Sequence, residues 1–129
     1  MTSKLIYLTY QTFPANTANS LQTITMLKYF SRSSYDVELI FPNRADNSSG
    51  DIEILQKHYD FKESYDVTLT KHNYPFRDYK TKVYFTKLRF HISHFLWSLN
   101  VVKRVTDDQK SDTLFFTRSD WVFYFLSKI

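Results

Sequence analysis

Four short runs rich in apolar or β-branched residues, each followed by a segment of helical spacing or by a loop and such a segment, constrain this chain more than anything else in it. They lie at residues 4–10, 36–41, 65–70 and 113–118. The first reads Lys4-Leu5-Ile6-Tyr7-Leu8-Thr9-Tyr10 and is apolar almost without a break. Such a run fits a strand buried on both faces, as in a parallel sheet. The second, Asp36-Val37-Glu38-Leu39-Ile40-Phe41, is expected to stop at Pro42. The third is shorter and less apolar, which suits a sheet edge. The fourth, Thr113-Leu114-Phe115-Phe116-Thr117-Arg118, reads as another buried strand.

Helical spacing fills the intervals. Leu21, Ile24, Leu27 and Phe30 recur on one drifting stripe, with Asn16 or Thr17 placed to cap the helix. Residues 51–59 predict a short helix with Ile52, Leu55 and Tyr59 on one side. Residues 79–105 hold neither Pro nor Gly and predict the longest helix. Its main stripe is Phe85, Leu88, Ile92, Phe95, Leu96, Leu99 and Val102, with a second stripe through Phe90, Trp97 and Val101. Ser119 or Asp120 can cap a last helix that starts at Trp121.

Strict alternation of strand and helix predicts an α/β domain with an open, Rossmann-like parallel sheet and helices on both faces. The expected strand order is 3-2-1-4, with the first strand central. The last helix is apolar nearly all round, and a fourth strand at the edge would leave it half covered. The chain therefore reads as one domain over residues 1–129, expected to be the first part of a longer protein or to need a partner.

Composition removes several function classes. Gly50 is the only glycine, which argues against a Gly-rich dinucleotide or P-loop turn. Cysteine is absent, so no disulfide, thiolate metal site or Cys nucleophile exists. No run of 18 apolar residues marks a membrane span, and no leader pattern opens the chain, so the expected location is the cytoplasm. The net charge of +4 permits contact with nucleic acid, anionic lipid or phosphorylated substrates without choosing among them.

In an open α/β sheet, ligands bind beyond the carboxyl ends of the strands. The residues expected at that rim include Gln11, Asn16, Asn19, Ser20, Arg44, Lys71, His72, Asn73, Arg118 and Asp120. Amides suit sugar hydroxyls, and cations suit oxyanions. The plainer reading of each is a helix cap or a loop filler. His91 and His94 share a helix face, but no further ligand stands at metal-site spacing, so no metal is expected. His58 is expected in solvent. Lys80, Lys82, Lys87 and Arg89 alternate with Tyr79, Tyr84, Phe85 and Phe90. That pattern reads first as a buried aromatic face opposite a basic one, and second as a membrane-surface face. No nucleic-acid motif accompanies the charges.

Four segments carry a resemblance that spans nearly the whole chain. They are Leu5-Ile6-Tyr7-Leu8-Thr9-Tyr10-Gln11-Thr12-Phe13-Pro14, Thr17-Ala18-Asn19-Ser20-Leu21-Gln22-Thr23, Tyr35-Asp36-Val37-Glu38-Leu39-Ile40-Phe41-Pro42 and Leu114-Phe115-Phe116-Thr117-Arg118-Ser119. Together they resemble the N-terminal domain of a family-4 glycosyltransferase of the GT-B type. The resemblance implies the acceptor-binding half of a two-domain enzyme. That enzyme type moves a sugar from a nucleotide-sugar donor to an acceptor hydroxyl without a bound metal or other cofactor. The acceptor would be a saccharide or a lipid-linked saccharide, with peripheral membrane contact as a further expectation. It implies acceptor-side roles for Asn16, Asn19, Ser20, Arg44, His72, Asn73, Arg118 and Asp120, and it identifies no catalytic residue. In the family, the donor half carries a Glu-x7-Glu element. Glu53 and Glu63 do not have that spacing, so the chain alone is expected to be inactive. Thr17-Ala18-Asn19-Ser20 stands where the family often carries Gly-Gly. Two alternatives stand beside this reading: a non-catalytic flavodoxin-like interaction domain, and a basic module that binds a membrane surface.

Overall fold

Alternate side chains of a strand leave opposite faces of the sheet, so an unbroken apolar strand needs cover on both sides. The computed structural model shows how that cover is supplied. It describes residues 3–11, 13–33, 35–43, 48–70, 86–107, 113–117 and 120–128. The elements follow the expected order: β1 (Lys4–Leu8), α1 (Ala18–Arg32), β2 (Asp36–Pro42), α2 (Ile52–Tyr59), β3 (Asp66–Thr70), α3 (Thr86–Asp107), β4 (Thr113–Thr117) and α4 (Asp120–Leu126). The four strands form one parallel sheet in the order β3-β2-β1-β4. Leu5 of β1 pairs with Val37 on one side and Leu114 on the other.

The two faces of β1 feed two cores. Leu5 and Tyr7 join Ile24 and Leu27 of α1, Val37, Leu39 and Phe41 of β2, and Leu55 of α2. Ile6 and Leu8 join Trp97, Val101, Val102 and Val105 of α3 and Val122 of α4. So α1 and α2 cover one face, and α3 and α4 cover the other. The chain walks outward through β1, β2 and β3, then returns across the opposite face to β4. That return creates the reversal in strand order beside β1 where open α/β sheets place ligands.

With a single glycine, the helices end on other residues. Thr17 caps α1: its Oγ1 accepts from Ser20 N at 3.2 Å. Asp51 caps α2 by accepting from Glu53 N at 3.0 Å. Asp60 closes α2 in the left-handed region (φ 56°), a conformation that aspartate tolerates better than most side chains. Gly50 lies against β3, and a methyl there would sit 3.2 Å from Leu69 Cβ.

Three expectations need correction. Pro42 does not stand outside the second strand but is its last paired residue, opposite Thr70. Proline has no N–H to donate, and a strand end is where that loss costs least. β4 is not buried: Leu114 and Phe116 are 44% and 38% exposed, because no strand lies beyond β4 among the described residues. On α3 the expected main stripe is largely the outer one. Leu88, Ile92 and Leu99 are exposed, whereas Ser93, Trp97, Ser98, Val101, Val102 and Val105 are buried. Small serines at Ser93 and Ser98 let the helix approach closely, and a hydrophobicity pattern does not weigh that.

Candidate functional site at the carboxyl end of β1

Beyond Leu8 the chain leaves the sheet through Thr9, Tyr10 and Gln11. Thr9 and Tyr10 are buried, and Thr9 N donates to Ile40 O at 3.1 Å, extending the ladder by one rung. Thr9 then orients Gln11. Its Oγ1 donates to Gln11 Oε1 at 3.0 Å and accepts from Gln11 N at 3.3 Å. From α1, Thr23 Oγ1 donates to the same Oε1 at 2.8 Å. Two hydroxyls therefore hold the carbonyl end of the carboxamide. The Nε2 end has no partner among the described residues, and Gln11 is half-buried at the rim. A carboxamide fixed this way presents N–H donors in a set direction, which suits a hydroxyl or carbonyl acceptor.

The loop from β1 to α1 is pinned rather than open. Phe13 is fully buried and meets Phe41 edge to face, with ring centroids 5.0 Å apart. Phe13 O accepts from Ser49 N at 3.1 Å. Tyr59 of α2 grips Ala15 twice: its hydroxyl accepts from Ala15 N at 2.7 Å and donates to Ala15 O at 2.8 Å. Burial raises the pKa of Tyr59, while its bonds to Ala15 and Ser20 act in the opposite direction. Beside it, His58 Nε2 and Asn16 Oδ1 are 2.9 Å apart; the amide oxygen can only accept, so Nε2 donates.

These contacts place the expected residues. Asn16 is exposed but held by His58. His58 is thus partnered, not simply solvated, and nothing local in sequence could show a bond that spans 42 positions. Asn19 is exposed in the first turn of α1. Ser20 is buried, and Thr17 Oγ1 donates to its hydroxyl at 2.8 Å. Ser20 therefore serves the helix cap, not the rim. Arg44, Lys71, His72, Asn73 and Arg118 lie outside the described residues. Asp120 opens α4, and its side chain is likewise outside them. The same holds for the side chains of Lys80, Lys82, Lys87 and Arg89.

On the other face, a buried network ties three strand ends to α3. Tyr10 Oη and Ser93 Oγ are 2.8 Å apart, and the Tyr10 ring stacks on His94 at 4.3 Å. Trp97 Nε1 donates to Thr70 Oγ1 at 2.8 Å, and Thr70 Oγ1 donates to Phe41 O at 3.2 Å. His94 is thus a packing partner of Tyr10. Among the described residues, no group of three His, Cys, Asp or Glu could hold a metal ion. None of their helices is long and apolar enough to cross a membrane. Searches against family models, curated proteins and solved structures return no match for this chain.

Proposed function

We propose that this chain is the acceptor-side half of a glycosyltransferase that moves a sugar from a nucleotide-sugar to an acceptor hydroxyl. The observation that carries the reading is the Gln11 carboxamide, fixed by Thr9 and Thr23 at the mouth of the central strand. Exposed Asn19 adds a second amide on the same loop–helix unit. A carboxamide held so that its N–H donors face a sheet's carboxyl rim suits the hydroxyl oxygens of a polyhydroxylated acceptor. The exposed row Leu88, Ile92 and Leu99 on α3 is consistent with a lipid-linked acceptor and peripheral membrane contact, with the reaction on the cytoplasmic side. The donor would be held by a second domain, so the 129 residues alone bind acceptor without turnover.

A saccharide titration followed by amide NMR tests this. Shifts are expected at Gln11, at Asn19 and in the first turn of α1, and Gln11→Ala should abolish them. Sugar transfer by the 129-residue chain alone, or saccharide binding that ignores Gln11, would refute the reading. A plain interaction domain is the second reading, favoured by the exposed Phe123 and Tyr124 of α4. Its flavodoxin-like form fits less well. There the first strand lies between the second and third, whereas here β1 lies between β2 and β4.

A further inference from the structure

Two buried hydroxyls stand directly behind Gln11: Thr9 is 1% exposed and Thr23 is 0% exposed. Each has one proton to give. Thr9 Oγ1 donates to Gln11 Oε1 at 3.0 Å and accepts from Gln11 N at 3.3 Å. Thr23 Oγ1 donates to the same Oε1 at 2.8 Å. Neither hydroxyl has another acceptor among the described residues. Turning the carboxamide over would set Nε2 against both hydroxyls and orphan two protons away from water, which burial makes unfavourable. The carboxamide therefore has one favoured orientation, with Oε1 inward and occupied and Nε2 outward at the half-buried rim. Thr9 is only two positions from Gln11, but Thr23 comes from α1, 12 positions on. The docking of α1 on the sheet thus sets the direction of a side chain on the β1 loop.

We propose that Thr9 and Thr23 are positioning residues that make Gln11 a donor-only contact, so that the site takes a saccharide with a hydroxyl or carbonyl oxygen at this point and rejects one with a protonated amine there. The inference rests on the acceptor reading above and adds to it which sugars are taken. A free glutamine is ambivalent, because half a turn of its carboxamide exchanges the donor end and the acceptor end. Held by two hydroxyls, Gln11 loses that choice. A sugar hydroxyl can accept from Nε2 and give its own proton to water at the open rim. An ammonium has three protons to give and no lone pair. Against Nε2 it makes no bond and gives up part of its hydration. Such a site discriminates through the partner left unpaired rather than through shape.

Side-chain NMR and matched sugars test this on the 129-residue chain. In the wild type, the Gln11 Nε2 group should be nearly as ordered as the backbone of β1. Thr23→Val keeps the side chain's shape and removes its hydroxyl, so it should loosen Gln11, and Thr23→Ser should restore the order. The binding probes are glucose, galactose and mannose, each with the derivatives that carry one ammonium in place of each hydroxyl in turn. At one ring position the ammonium should weaken wild-type binding about tenfold. Thr23→Val should shrink that loss, and Thr23→Ser should bring it back. Gln11→Glu gives both hydroxyls an acceptor oxygen as before but shows an acceptor to the rim, so the preference at that position should invert. That variant carries the test should Thr23→Val lose its circular dichroism. A mobile wild-type Gln11, or equal order in Thr23→Val, overturns the positioning role, whatever the sugars do. An ammonium tolerated at every position, or a preference that neither Thr23→Val nor Gln11→Glu alters, overturns the selectivity. If no sugar shifts any resonance, the acceptor reading fails and the selectivity falls with it, while the order of Gln11 still reports on Thr9 and Thr23 separately.

Discussion

At one edge of the sheet, β3 carries Asp66 exposed at its start and Thr68, whose Oγ1 donates to Glu38 Oε2 at 2.7 Å. Lys4 closes on the same Glu38 carboxylate at 3.2 Å, so polar contacts run across the β3, β2 and β1 side of the sheet. The segment at Gly50 backs onto Leu69. Arg32 of α1 reaches Glu63, just ahead of β3, with its Nε donating at 2.8 Å. At the opposite edge, β4 shows Leu114 and Phe116 to water and has no charge of its own. Both are edges of one parallel sheet, yet one carries polar side-chain contacts and the other shows apolar side chains. The difference teaches where burial is complete. Stability should reside in β1, β2 and the α1–α2 face, while the exposed side of β4 and α4 should tolerate substitution better.

Truncations in dilute solution sharpen that contrast most. Phe41→Ala, in β2 beside β3, removes a fully buried ring and its contact with Phe13, and should cost about 3–5 kcal/mol in chemical denaturation. Phe116→Ala, on the open edge, removes a ring that is 38% exposed and packs on Phe30, and should cost about 1–2 kcal/mol under the same conditions. Equal losses would break the comparison. Tyr59→Phe comes next. It leaves Ala15 N–H without its partner and should cost about 1–3 kcal/mol, with added mobility in residues 13–16 visible by NMR relaxation.

Much of this was legible beforehand, and particular residues show why. β1 and β2 announce a parallel sheet because burial on both faces erases alternation, and the expected order 3-2-1-4, with the first strand central, is the one the sheet has. The failures have one cause, which is that local pattern does not report which neighbour exists. Leu114 and Phe116 look like core residues, yet no strand lies beyond β4 among the described residues and both are partly exposed. Leu88, Ile92 and Leu99 share a face as a core stripe would, yet α3 turns Ser93 and Ser98 toward the sheet instead. At the rim, Asn16, Asn19 and Gln11 were all nameable from loop position. That Ser20 serves a cap and Asn16 is held by His58 depends on α1 and α2 docking side by side, which no short window contains.

A smaller test probes the finished edge itself. The Tyr65 hydroxyl is buried beside β3 with no hydrogen-bond partner among the described residues, and burial, reinforced by the charges of Tyr59 and Glu63, pushes its pKa well above the ordinary value for tyrosine. A raised folded-state pKa means that the folded form retains its proton longer than the unfolded chain. The stability it contributes is complete below the unfolded value, about 10, and is lost as pH rises beyond it. Tyr65→Phe should therefore leave stability at pH 7 unchanged or slightly higher and should flatten the fall above pH 10. The smallest effect is expected on the acid side. Bonds from its own backbone N–H and from Arg32 hold Glu63 below the usual carboxylate range. Its contribution is present above the unfolded carboxylate pKa and is lost as pH falls through the lower folded value. Glu63→Gln should shallow that acid slope slightly, as expected of an exposed pair.

The contrast between the edges is tested most directly by amide hydrogen exchange. Exchange at residues 114–117 of β4 should be faster than exchange at residues 66–70 of β3. Equal exchange at both edges would contradict the account.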